Sequence, residues 1–242
     1  MSRLETGRVG FKSRDIADLL TLYGVTGVQE REALLELARQ ASAMGWWHNY
    51  ADVMPAWFEP YVGLEEAASS IRCYQMQCIP DLLQTADYAR AIAMLGHPGV
   101  SDDEIERRVS LRTARQAVIT RATPAHLWTV LDEAALRRPV GGPDVMRSQL
   151  GHLLDMADRP NVSLQVIPLT TGRHAAAGGA FTVLRFSEPD LPDVVYLEQL
   201  TSALYLDKRD TVDHYMAVLE GLCVDALPAD GSLKMISDLL DD

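Results

Sequence analysis

Cysteine is scarce. Cys73, Cys78 and Cys223 are the three among 242 residues. An odd count without ligand spacing argues against a metal site and suits a reducing, cytoplasmic setting. Long apolar runs are missing too, so no membrane span is expected. No basic stretch followed by an apolar one opens the chain, so no secretory leader is expected. His-Glu-x-x-His, Gly-x-Ser-x-Gly and phosphate-loop patterns do not occur, and with them go the enzyme classes they define. The sequence calls for no cofactor.

Positive charge is also in short supply. Lys and Arg total 22 against 34 acidic residues, a net charge of −12. Affinity for DNA comes largely from cations that displace counterions along the phosphates. An acidic chain needs a concentrated basic face to overcome its own field. The clusters present are Arg107-Arg108-Arg112-Arg115-Arg121 and Arg137-Arg138. The first reads as a solvated helix surface, with Glu104 and Arg108 paired one turn apart.

The elements that are present run helices, then strands, then helices. Ser13 or Asp15 caps a helix to about Tyr23, and Gln29 to Met44 is amphipathic. Prolines break the aromatic-rich stretch from Gly45 to Tyr61. A short helix is expected over Leu64 to Ser70, and a strand over Ile71 to Ile79. Helices follow over Thr85 to Leu95 and Asp102 to Thr120, the latter opened by Ser101-Asp102-Asp103-Glu104. His126 to Leu131 reads as a strand and Pro143 to about Asp158 as a helix. Val162 to Ile167, Phe181 to Phe186, Val194 to Leu197 and Ala203 to Leu206 read as an antiparallel meander. Helices over Thr211 to Val224 and Ser232 to Leu240 close the chain. The fold class is α+β: N-terminal helices packed on a C-terminal antiparallel β-meander, closed by C-terminal helices.

Three groups of residues are candidate sites. His174 lies in a small-residue loop, Arg173 to Ala180, and histidine is the side-chain type suited to acid–base work near neutral pH. Glu133 and Glu198 lie near strand ends, and a carboxylate beside His174 would form an acid–base pair. These three are the candidate catalytic residues, against the plainer reading of a surface histidine and helix-capping acids. Trp46, Trp47, Trp57, Phe58, Tyr61 and Tyr205 are candidate ligand-binding residues, able to wall an apolar cavity with the His174 loop at its mouth. Their plainer role is core, since large aromatics usually bury.

Several motifs carry a resemblance. Met1 to Val25, with Ser2-Arg3-Leu4-Glu5-Thr6-Gly7 and Leu22-Tyr23-Gly24-Val25, resembles the latter half of the helix-turn-helix head of Xre-type transcription regulators. Gly45-Trp46-Trp47-His48, Trp57-Phe58, Tyr61-Val62-Gly63-Leu64-Glu65, Leu82-Leu83-Gln84-Thr85, Leu131-Asp132-Glu133-Ala134-Ala135-Leu136, Gly178-Gly179 and Leu204-Tyr205-Leu206 resemble the antitoxin-like C-terminal effector domain behind such heads in actinobacteria. The resemblance implies residues 1–25 as the remnant of a head and 26–242 as a ligand-binding effector domain. It implies no established enzymatic activity, and a small protein as a frequent partner. Pro80-Asp81 departs from the Pro-Gly usual there.

Two functions follow as expectations. One is a regulator-derived protein without specific DNA binding that takes a small apolar or aromatic ligand or a small partner protein. The other is a cofactor-free pathway enzyme, a cyclase or isomerase of specialised metabolism built on the same domain. Without the covering helices of a complete head, Leu4, Val9, Phe11, Ile16, Leu19 and Leu20 are expected to pair with a second copy, giving a homodimer, or to fold back on the body.

Overall fold

The structure is a computed structural model that describes residues 13–28, 31–32, 34–35, 45–172, 174–176, 178–188 and 191–241. The chain divides into two units, Met1–His48 and Asn49–Asp242. In the first, Ser13–Leu22 forms α1, with Leu20 buried and Leu22 and Tyr23 exposed. Most of the amphipathic stretch expected from Gln29 to Met44 lies outside the described residues, as do residues 1–12.

The second unit begins its regular structure with α2, Glu59–Ala67. This start is earlier than the proline pattern suggests. Pro60 occupies the first turn, where a missing N–H costs nothing, so it opens the helix instead of breaking it. β1 spans Ser70–Gln75 and stops short of Pro80. After a 3-10 turn at Asp81–Leu83 come α3, Ala86–Gly96, and α4, Asp102–Arg115. Thr85 Oγ1 accepts from Tyr88 N and Ser101 Oγ from Glu104 N, so both helices have side-chain N-caps. The predicted helix to Thr120 is divided after Arg115, and Ala117–Thr120 forms α5. Gln116 at the break donates Nε2 to the carbonyls of Asp81 and Gln84.

β2 is His126–Asp132, α6 is Glu133–Arg137 and α7 is Pro143–Ala157. β3 is Val162–Ile167, β4 Phe181–Arg185, β5 Val194–Glu198 and β6 Ala203–Leu206. α8, Arg209–Asp225, and α9, Ala229–Asp241, follow. The class is α+β. The six strands form one sheet in the order β3-β2-β1-β4-β5-β6.

The meander is β4-β5-β6, paired antiparallel. β3 does not join it. β3 and β2 pair in parallel, as do β2 and β1, and β4 lies antiparallel to β1 on the other side. Helical crossovers between β1 and β2 and between β2 and β3 impose the parallel direction, because each returns the chain to the same end of the sheet.

Strand residues alternate between two faces. One face carries Ile71, Cys73, Leu131, Val166, Leu184 and Tyr196 into a core with residues of α2, α7 and α9. The other carries Tyr74, Val130, Ile167, Phe181, Val183 and Val195 against Val212, Leu219 and Leu222 of α8. The β3 edge is closed: Val166 N donates to Ser232 Oγ at 2.9 Å, and Leu227 N donates to the Val166 carbonyl. Among the described residues no helix is long and apolar enough to cross a membrane.

Candidate functional site

The sheet's direction fixes where chemistry gathers. β1, β2, β3 and β5 end, and β4 and β6 begin, along one margin. The connection from β3 to β4 must travel along that margin past the ends of β2 and β1, a distance of about 14 Å at ~4.8 Å per strand spacing. This path explains two contacts. Leu169 N, just past β3, donates to Glu133 Oε2 at 2.8 Å. Further along, the His174 ring reaches the Tyr74 ring, their centres 5.6 Å apart.

Among the described residues, the Oη of the fully buried Tyr74 makes no well-formed hydrogen bond, and neither does the enclosed Nδ1 of His174. Burial pushes the Tyr74 phenol up to about 12, and the Asp132 carboxylate, near enough to draw the phenol hydrogen, adds to the shift through its charge, so the phenol stays a neutral donor. Asp132 Oδ1 is occupied in capping α6 through Ala134 N at 2.8 Å. The neighbouring walls are aromatic. Phe181 lies 6.4 Å from Tyr74 and 5.1 Å from Tyr215, centre to centre. Ala176, two residues after His174, is buried in the same cluster.

The three candidate catalytic residues are not brought together. Glu198 shares its face with Tyr196, whose Oη donates to Glu198 Oε2 at 2.9 Å. That is the face opposite Tyr74 and His174. Glu133 opens α6 just past the end of β2, three strand spacings from β5. It is buried and accepts from Arg137 Nε at 2.5 Å. Burial opposes its ionisation, but the Leu169 N–H and Arg137 outweigh it and hold its pKa below the usual carboxylate range. Glu133 is therefore a structural anion, not a base poised near neutrality. Glu198 is exposed as a residue, but its carboxyl is shielded by its surroundings. Desolvation, then the charge of Asp81, push its pKa up.

The aromatic residues also have occupants. Phe58 stacks on Tyr61 at 5.4 Å, and Tyr61 meets Tyr196 at 4.1 Å. The Arg115 guanidinium lies 4.9 Å from the Phe58 ring centre and 5.4 Å from that of Tyr61. The cation held by these rings is thus the protein's own. Arg115 grips Glu65 with two bonds, Nε–Oε2 at 2.7 Å and Nη2–Oε1 at 2.9 Å, and Nη1 reaches Asp81 Oδ2 at 2.7 Å. Tyr205 Oη donates to the Trp57 carbonyl at 2.7 Å, and the Trp57 ring meets Phe58 edge-on. Trp46 and Trp47 belong to the first unit and pack edge-to-face on each other at 5.9 Å.

Sequence reading placed Arg115 on a solvated face, whereas it is 4 % exposed. The signal was its position on the apolar stripe, four residues after Leu111 and three before Val118. Tyr74 went unnoticed because a tyrosine in an apolar strand looks like any core residue. Asp81, where the chain departs from Pro-Gly, turns out to complete the arginine centre.

A family model described as a domain of unknown function, DUF5753, matches residues 58–238. The chain belongs to that family. No curated protein and no solved structure matches it. The matched span contains the whole sheet, the arginine centre and the Tyr74–His174 pair.

Proposed function

We propose that the domain is a binding module rather than a catalyst, related to the effector domains of Xre-type regulators and without affinity for specific DNA. Its ligand is a small apolar or aromatic molecule with one hydrogen-bonding group, or a small protein partner that presents such a group. The observation that carries this reading is a pair of buried polar atoms, Tyr74 Oη and His174 Nδ1, that make no well-formed hydrogen bond among the described residues and whose rings lie side by side at the carboxyl ends of parallel strands. Buried polar atoms without partners are rare and costly in folded proteins. Open sheets with parallel strands bind ligands at that margin. Phe181 and Tyr215 supply apolar walls. The alternative, a cofactor-free cyclase or isomerase, needs an acid and a base on one substrate. The separation of His174 from Glu198 favours binding over turnover.

A thermal-shift screen with phenols, benzamides and indoles tests the proposal. At least one compound should raise the unfolding midpoint of the wild type. Tyr74→Phe or His174→Ala should weaken that compound on the order of tenfold or more, the cost of one buried polar contact. Failure of every compound to bind, or binding indifferent to both substitutions, would overturn it.

A further inference from the structure

A second site lies on the far side of the domain from the meander, where α6, α7 and the end of α9 meet. A hollow of about 250 Å³ opens there. Met146 and Leu150 of α7 and Leu239 and Leu240 of α9 form its floor, and Pro139 and Pro143 stand at its rim. Among the described residues, the polar ones lining it are Arg137 and Arg147, with no acid. In a chain of net charge −12, an apolar hollow bordered by two arginines is an unusual local concentration of positive charge. Arg137 already pairs with Glu133. Arg147 is exposed and enters no hydrogen bond or ion pair among the described residues. Its guanidinium is open to an incoming anion.

We propose that this hollow binds an apolar monocarboxylate, with the hydrocarbon on the leucine and methionine floor and the carboxylate on Arg147. The chemistry follows from the lining. Apolar atoms gain by leaving water, and a planar guanidinium matches a carboxylate with two parallel bonds. The volume lies just below the usual range of ligand sites, which selects a medium-length aliphatic chain or a single ring over a long-chain lipid. The site is independent of the Tyr74–His174 group, which lies on the other face of the sheet.

Calorimetric titration of the full chain with decanoate tests the proposal, with decanol and decylammonium as probes of the charge. Decanoate should bind, decanol much more weakly, and decylammonium not at all. Arg147→Glu, on an exposed helix surface, should weaken decanoate at least about tenfold, because it replaces attraction with repulsion. Leu240→Trp should block the hollow and do the same. Tyr74→Phe should leave decanoate untouched, so this result and that of the Tyr74–His174 test can be told apart. Equal binding of decanol and decanoate, indifference to Arg147→Glu, or no binding of decanoate would overturn the proposal.

Discussion

Arg115 joins three elements that are far apart in sequence, α2 through Glu65, the 3-10 turn through Asp81 and its own helix α4. Its side chain and that of Glu65 are 3 % and 2 % exposed. Removing the cation leaves a buried carboxylate with no counter-charge, which is far worse than removing an exposed pair. Arg115→Met should therefore cost about 3–5 kcal/mol, measured as a lower urea midpoint with unchanged slope. Tyr74→Phe should act in the opposite direction. It removes a buried hydroxyl that makes no well-formed hydrogen bond among the described residues, so the ligand-free protein should gain up to about 1 kcal/mol while losing ligand, a trade of function for stability.

The acids at this scale also set the response to pH. Burial opposes the ionisation of Asp81, but Arg112 and Arg115 outweigh it and hold its pKa down. Glu133 is held down as well. A depressed carboxylate contributes stability above the unfolded value of about 4 and loses it as the pH falls through the folded value. Glu198 is shifted up, so its contribution is present at low pH and is lost as the pH rises through its folded value. Glu198→Gln should then stabilise the protein near neutral pH and make no difference in acid below the unfolded value. Thermal melts of both proteins across the acid range check the sign.

At the scale of the element, capping and closure do work that periodicity alone does not reveal. Ser232 is fully buried near the start of α9 and accepts from Val166 N of β3. Ser232→Ala would leave that strand N–H unsatisfied, at a cost of about 1–3 kcal/mol. Native-state hydrogen exchange should show the Val166 amide opening faster, while amides in β4 and β5 keep their protection. Element types were mostly legible, because Ser101, Thr85 and Pro143 announce helix starts and the strands alternate. Pairing direction was not. The run Val162–Ile167 reads like its neighbours in the meander, and only the crossovers that precede it place it at the opposite edge. The candidate site was half legible. His174 stands out in a loop of small residues, but Tyr74 belongs beside it for a reason of topology, not of local pattern. Glu198 looked like its natural partner until the alternation of β5 put it on the other face.

At the scale of the whole molecule, the charge of −12 governs encounters with other polymers. An anisotropy titration against duplex DNA near physiological salt should show nothing tighter than weak, salt-sensitive association. A sequence-selective, salt-resistant complex would contradict the binding-module reading. The same scale also sets how the fold is reached. β1 sits inside the sheet, yet its contacts are distant: Cys73 meets Thr129 of β2 across 56 positions, and Ser69, just before the strand, meets Arg185 of β4 across 116. Loop closure over such spans must precede any reward from pairing, which slows the search for the native state. On a ribosome, β1 would emerge with both backbone edges bare and wait for the rest of the sheet to be made. The strand at the centre of the finished protein is, during synthesis, its most vulnerable edge, and the nascent chain should be most prone to aggregation in that interval.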